Sequence, residues 1–164
     1  ISLIPDKERI DYEAELAVII DEQCKNVPVS KADEYIRGYT CFNDISNRED
    51  QRKEKNWVRG KAFDNSAPIG PVLATPDELP DDAKIQMRLN GEVKQDSEIS
   101  NMHFTVPELI SEISSYLTLE PGDVISTGTP GGVGAGHSPP QFLETGDHVR
   151  CEVNKIGVLE NRVK

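Results

Sequence analysis

Two glutamates separated by one residue, Glu13 and Glu15, are the residues of this sequence best placed to do chemistry. Their segment, DYEAELAVII, alternates apolar and polar residues, which predicts a strand over 13–21. Side chains alternate across a strand, so both carboxylates would project from one face. They would repel each other unless a cation lay between them, and oxygen ligands suit Mg²⁺, Mn²⁺ or Ca²⁺. The alternative is a half-buried strand with a solvated acidic face. The predicted apolar face consists of Tyr12, Ala14, Leu16, Val18 and Ile20.

A second polar group lies between residues 43 and 61. Asp44 can complete a three-carboxylate metal site with the two glutamates. Arg48 follows Asp44 by four residues and Gln51 follows Arg48 by three, so a helix after residue 45 would direct all three to one point. Such a point suits a cation together with an anionic, oxygen-rich ligand. The alternative is a solvated polar helix with one Asp–Arg pair.

Lys61, in the segment WVRGKAFD, precedes a loop rich in proline and glycine. An isolated lysine at such a place is ordinarily a surface residue. Near a bound cation, however, its ammonium can stabilise an enolate or a developing oxyanion.

A glycine-rich stretch over 126–136 directly follows a predicted strand. Such a loop can turn successive backbone N–H groups inward and bind an anion, for which a carboxylate is suitable. It lacks the Gly-Lys-Ser/Thr ending of a nucleotide-binding loop. A flexible hairpin connection is the alternative.

Composition limits the class of protein. The 164 residues fit a single domain, 1–164, with one core. The formal net charge of −11, from 29 acidic and 18 basic residues, argues against nucleic acid and anionic membrane as partners. No apolar stretch is long enough to span a bilayer. Three cysteines without CxxC spacing argue against zinc ligation and disulfides and favour a reducing compartment. We therefore expect a soluble, cytoplasmic protein.

The elements that must position these residues are predicted to be mainly strands. A short helix over 30–37 with Ser30 as N-cap precedes extended chain over 38–45. Asn90-Gly91 predicts a hairpin over 84–97, and Thr105 with Glu108 predicts a capping box on an amphipathic helix over 105–117. Further strands are predicted at VIST, HVRCEV and VLENRV. The predicted apolar face of the helix consists of Leu109, Ile110, Ile113, Tyr116 and Leu117.

Five segments, in this order and at this spacing, resemble the fumarylacetoacetate hydrolase family from about residue 10 to the C-terminus. They are YEAELAVII, GYTCFNDISNREDQ, WVRGKAFDNSAPIGP, the hairpin with NGEVKQDSEISNM, and LEPGDVISTGTPGGVG. The resemblance implies a mixed, mainly β fold: a β-roll of flattened, barrel-like sheets with short flanking helices. It also implies a homodimer.

The resemblance implies roles for individual residues. It places Lys61 among the residues that surround the substrate, and we expect Lys61 to be the catalytic residue. The positions that match the family's ligands of Mg²⁺, Mn²⁺ or Ca²⁺ are Glu13, Glu15 and Asp44. The residues expected to bind the substrate are Arg48, Gln51, Gly128 and Thr129.

The implied activity is that of a divalent-metal-dependent enzyme that acts on 2-oxo (diketo) acids. The metal would polarise the keto group, and Lys61 would help to stabilise the resulting enolate. C–C hydrolysis of an acylpyruvate-like or fumarylpyruvate-like substrate is the first expectation. The alternatives are isomerisation of 2-hydroxyhepta-2,4-diene-1,7-dioate and decarboxylation of oxaloacetate. A further alternative is a catalytically silent binding subunit.

Two features depart from the family pattern. Glu49 stands where the family has an aspartate after the position of Arg48. Hydrolytic members also carry a His–Glu pair upstream of the paired glutamates, and this chain starts only twelve residues before Glu13. Because the first residue is Ile1 rather than methionine, we expect an N-terminal segment that is not in this sequence.

Overall fold

The computed structural model describes residues 1–80 and 82–164. The described residues form ten strands and three α-helices, with short 3₁₀ turns between them. The strands are β1 (Ile10–Asp11), β2 (Ala14–Ile20), β3 (Ile36–Asn43), β4 (Ser46–Asn47), β5 (Ile69–Ala74), β6 (Lys84–Leu89), β7 (Glu92–Glu98), β8 (Val124–Ser126), β9 (His148–Val153) and β10 (Gly157–Arg162). The helices are α1 (Arg48–Lys53), α2 (Val58–Lys61) and α3 (Val106–Tyr116). None of the helices in the described ranges has the length and apolar character required to cross a membrane.

Two four-stranded antiparallel sheets pack against each other. One has the strand order β5-β3-β2-β8 and the other the order β10-β9-β6-β7, while β1 and β4 form a separate pair. Across the core, β2 contacts β6 and β9, and β3 contacts β9. Throughout the part of the chain that the structure describes, both sheets remain open. The predicted mixed, mainly β fold of flattened sheets with short helices is confirmed.

Strand β2 is buried on both faces. Its apolar side chains lie in the core, as the alternation predicted. The opposite face is also enclosed, because Glu13 is only 8% exposed and Glu15 only 3% exposed. The alternative of a solvated acidic face is therefore wrong, and the two carboxylates need partners within the protein.

The local turn and cap signals are confirmed where the sequence carried them. Asn90 and Gly91 join β6 to β7 with positive φ angles of 52° and 88°, as a type I′ turn requires. The Thr105–Glu108 capping box begins α3. The predicted N-cap at Ser30 is wrong, because Lys31 N–H bonds to Pro28 O and closes a 3₁₀ turn that begins at Val29.

Helix α3 packs on a narrower face than its apolar residues predicted. Its buried residues are Val106, Ile110 and Ser114, whereas Tyr116 is 64% exposed. The reason lies in Ser114, whose hydroxyl accepts a hydrogen bond from Val27 N–H at 3.0 Å. This polar contact orients the end of the helix with Tyr116 outward.

Helices α1 and α2 approach closely at Gly60, and this contact predicts the effect of a single methyl group. A Cβ at position 60 would lie 2.8 Å from Cβ and 2.9 Å from Cα of Gln51. Gly60→Ala should therefore lower the free energy of unfolding by about 1–3 kcal/mol, measured by urea denaturation. Gly131→Ala is the matched control, because a Cβ there would meet nothing within 4 Å. Equal denaturation midpoints for the two variants would contradict this packing.

Candidate metal centre and active site

Three carboxylates meet where β2 begins and β3 ends. One oxygen each from Glu13, Glu15 and Asp44 lies within 4.8 Å of the others. Two backbone contacts hold this junction: Asp44 N–H donates to Glu13 O at 3.0 Å, and Glu13 N–H donates to the Asn43 side chain at 3.0 Å. The structure thus brings together the three residues that the sequence predicted as metal ligands.

Two cations lie against these carboxylates. Lys61 Nζ, at the end of α2, is 2.6 Å from both Glu13 Oε2 and Asp44 Oδ2. Arg48 Nη1, at the start of α1, is 2.7 Å from Glu13 Oε1 and donates to Gln51 Oε1 at 3.0 Å. Arg48 and Gln51 thus lie together beside the carboxylates, as predicted, although Asp44 precedes the helix that carries them. Lys61 joins them from α2.

Of the three carboxylates, Glu15 is the one that pairs with no cation in the part of the chain that the structure describes. Its Oε2 accepts hydrogen bonds from the Ser126 hydroxyl and from Gly128 N–H, the latter at 2.9 Å. Burial raises the pKa of Glu15 to about 7, although both hydrogen bonds oppose the shift. Burial also raises the pKa of Asp44, and the neighbouring Lys61 ammonium opposes that shift.

Asp11 is a fourth carboxylate that the sequence analysis missed. It is fully buried, and it accepts hydrogen bonds from Gly134 N–H at 2.7 Å and Ala135 N–H at 2.9 Å. Its Oδ2 also lies 2.9 Å from Arg48 Nε. Asp11 therefore fixes Arg48 and the glycine-rich loop together. The alternation of acidic residues at 11, 13 and 15 was the signal that could have revealed it.

The glycine-rich loop binds carboxylates of the protein itself. Its N–H groups at Gly128, Gly134 and Ala135 bond to Glu15 and Asp11. The Thr129 hydroxyl donates to Ala14 O at 2.9 Å. The predicted anion-binding loop is thus present, but these donors already have partners, and contact of Gly128 and Thr129 with a substrate stays a prediction.

One donor of the site has no partner among the described residues. Arg48 is 7% exposed, and its Nη2 is buried without a hydrogen bond. Buried guanidinium donors are ordinarily satisfied, so Nη2 is available for an oxygen of a bound ligand.

The family model described as fumarylacetoacetate (FAA) hydrolase, C-terminal, matches residues 1–164. The chain belongs to the fumarylacetoacetate hydrolase family. Its members with similar sequences or structures are hydrolases, isomerases and tautomerases.

Three similar proteins illustrate this range. The sequence is 44% identical over 167 residues to the mitochondrial oxaloacetate tautomerase FAHD2A of Bos taurus, covering 99% of this chain and 53% of that protein. The structure resembles a 2-hydroxyhepta-2,4-diene-1,7-dioate isomerase from Mycobacterium marinum, with a TM-score of 0.92, 38% identity and coverage of 99% and 62%. It also resembles a fumarylpyruvate hydrolase from Pseudomonas aeruginosa in complex with Mn²⁺ and pyruvate, with a TM-score of 0.89, 32% identity and coverage of 99% and 69%. The chain spans about half the length of the bovine relative.

The environment of Glu15 predicts how the stability of the metal-free protein changes with pH. Because the pKa rises from an ordinary 4.5 to about 7, folding favours the neutral carboxyl. This contribution to the free energy of unfolding is present in full below about pH 4.5 and is lost as the pH rises to about 7. In EDTA, the urea midpoint should be lower at about pH 8 than at about pH 5. This decrease should be larger for the wild type than for Glu15→Gln.

Glu22→Gln provides the control for this experiment, because Glu22 is exposed just beyond the same strand. This variant should retain the pH dependence of the wild type. Parallel pH profiles for the wild type and Glu15→Gln would show that Glu15 does not titrate as described.

Proposed function

We propose that this protein is a divalent-metal-dependent enzyme that acts on 2-oxo acids through an enolate. The observation that carries the proposal is the group formed by buried Glu13 and Glu15 and partly buried Asp44, with Lys61 and Arg48 beside it. Carboxylates at a surface need neither enclosure nor two adjacent basic side chains. A site that binds a cation together with an acid needs both.

The residues fit a divalent cation in donor type and in charge. Glu13, Glu15 and Asp44 offer only oxygen, which suits Mg²⁺, Mn²⁺ or Ca²⁺. With Asp11 included, four carboxylates face two cations, so the fully ionised cluster has an excess of two negative charges. A bound divalent ion would neutralise this excess and polarise the keto oxygen of a 2-oxo acid as a Lewis acid. The Mn²⁺ in the similar fumarylpyruvate hydrolase supports this assignment.

The side chains beside the carboxylates can orient the acid. Arg48 Nη2 is a free buried donor for a substrate carboxylate, and Gln51 is held against the same guanidinium. The Lys61 ammonium supplies positive charge next to the carboxylates, where negative charge on a keto oxygen would otherwise be repelled. Gly128 and Thr129 would shape the other side of the substrate.

We propose keto–enol tautomerisation of oxaloacetate as the first reaction to test, because of the 44% identity with the bovine oxaloacetate tautomerase. Tautomerisation moves a proton from the carbon beside the keto group to the keto oxygen and needs no attacking water. C–C hydrolysis of an acylpyruvate-like or fumarylpyruvate-like acid, the first expectation from the sequence, is the second candidate, and it also needs a base for water. Its support is the similar fumarylpyruvate hydrolase.

We also propose that the protein acts as a cytoplasmic homodimer without nucleic-acid or membrane partners. The support for the dimer is the family resemblance. The support for the absence of anionic partners is the net charge of −11.

Lys61→Met tests whether the chemistry passes through an enolate. The change preserves side-chain length but removes the ammonium, so Mn²⁺ should still bind while kcat falls by about 10²–10³. The kcat values of the full-length wild type and the variant are measured side by side for oxaloacetate tautomerisation, acylpyruvate hydrolysis and dienedioate isomerisation. Lys55→Met, an exposed lysine between α1 and α2, is the matched control and should retain wild-type kcat.

Two results would contradict the proposal. If the fastest reaction is unchanged in Lys61→Met, Lys61 does not stabilise its transition state. If the wild type binds Mn²⁺ but turns over none of the three substrates, the alternative of a catalytically silent binding subunit is favoured instead.

A further inference from the structure

Gln95 is a buried amide in an otherwise exposed strand. It is 1% exposed, whereas every other residue of β7 is exposed or only partly buried. Most glutamines lie at the surface, and a buried amide needs partners for its carbonyl oxygen and both of its N–H groups.

A β-bulge turns this side chain inward. Met87 pairs with Gln95 and Arg88 pairs with Val93, which leaves Lys94 as an extra residue on β7. Bulges of this kind redirect side chains, and they are frequent next to active sites. The bulge also receives the glycine-rich loop, since the Lys94 carbonyl occupies the place where a Cβ of Gly132 would lie.

The amide of Gln95 connects the loop to β2. Its Oε1 accepts a hydrogen bond from Ala14 N–H at 2.9 Å. Its Nε2 donates to Thr129 Oγ1 and to Pro130 O, each at 2.8 Å. The Thr129 hydroxyl in turn donates to Ala14 O at 2.9 Å.

Ala14 is the residue between the two glutamates. The Gln95 side chain accepts a hydrogen bond from Ala14 N–H directly, and Thr129 connects the Ala14 carbonyl to the Gln95 amide. The backbone that determines the separation of Glu13 and Glu15 is therefore held by one side chain from a distant hairpin. The same side chain fixes the loop next to Gly128, whose N–H binds Glu15.

We propose that Gln95 is a positioning residue for the candidate metal site. It holds Glu13 and Glu15 at the separation at which both can bind one divalent cation, and it keeps the loop against Glu15. This inference rests on the proposed function, because it assumes that a cation binds there. Groups that orient metal ligands without touching the metal typically contribute 10–100-fold to metal affinity.

The role requires an acceptor for Ala14 N–H and two donors, one for Thr129 Oγ1 and one for Pro130 O, on a side chain of fixed length. Methionine has a similar length but provides no strong hydrogen-bonding group, and asparagine retains the amide but is one methylene shorter. Gln95→Met and Gln95→Asn should therefore both release Ala14 and Thr129. Neither change alters the charge of the site, so a change in metal affinity would report on position rather than on electrostatics.

The experiment is calorimetric titration of MnCl₂ into the full-length protein, at a temperature at which circular dichroism shows each variant to be folded. Gln95→Met and Gln95→Asn should weaken Mn²⁺ binding by about 10–100-fold. Gln86→Met is the matched control, because Gln86 lies on the paired strand β6 and bonds to Arg88. It should retain the affinity of the wild type.

A second pair of variants keeps the test valid if the Gln95 variants do not fold. Thr129→Val removes the hydroxyl that joins Gln95 to Ala14, whereas Thr129→Ser keeps it. The valine variant should bind Mn²⁺ more weakly than the serine variant.

The outcomes separate the two proposals. If the wild type binds Mn²⁺ and the folded Gln95 variants bind it equally well, the role of Gln95 is overturned and the proposed function stands. If the Gln95 variants do not fold, equal Mn²⁺ affinity of the Thr129 valine and serine variants gives the same result. If the wild type itself binds no Mn²⁺, the proposed function fails, and this inference fails with it.

Discussion

The constraint on which the rest of the site depends is that four carboxylates, three buried and one partly buried, lie beside only two cations. An ionised carboxylate removed from water is strongly destabilising unless hydrogen bonds or opposite charges compensate for the lost hydration. Arg48 and Lys61 compensate for part of this charge, and the loop donates hydrogen bonds through its N–H groups. A divalent cation would neutralise the remaining excess. The same arrangement that destabilises the metal-free site therefore favours metal binding.

This requirement explains why distant segments of the chain meet at one point. At two glycines near the site, close packing leaves no room for a side chain. At Gly134, a Cβ would meet the Asp11 carboxylate and the Gln141 carbonyl. At Gly60, it would separate α1 from α2 and so move Gln51 relative to Lys61. The glycines thus serve the geometry of the site rather than flexibility.

Features with local causes were predictable from the sequence. The strand that carries Glu13 and Glu15, the Asn90-Gly91 hairpin and the capping box at Thr105 each depend on residues within a few positions. The contact between Arg48 and Gln51 followed from helical spacing, and the metal hypothesis followed from the paired glutamates with Asp44. The substrate roles of individual residues followed from the family resemblance. The partners of Asp11 and Gln95 were not predictable, because they depend on loop closure over more than 30 residues and on a bulge that appears only once strand register is known. The burial of the acidic face likewise depends on packing by α1, α2 and the loop.

The central claim is that one divalent cation binds among Glu13, Glu15 and Asp44. Glu15→Gln tests it most directly, because Glu15 has no cationic partner and a glutamine oxygen can still accept the bonds from Ser126 and Gly128. The measurement is calorimetric titration of Mn²⁺ into the full-length wild type and this variant after removal of metal with chelator. We predict one ion per chain in the wild type and a loss of at least tenfold in affinity in the variant. Equal affinity and stoichiometry in the two proteins would contradict the claim.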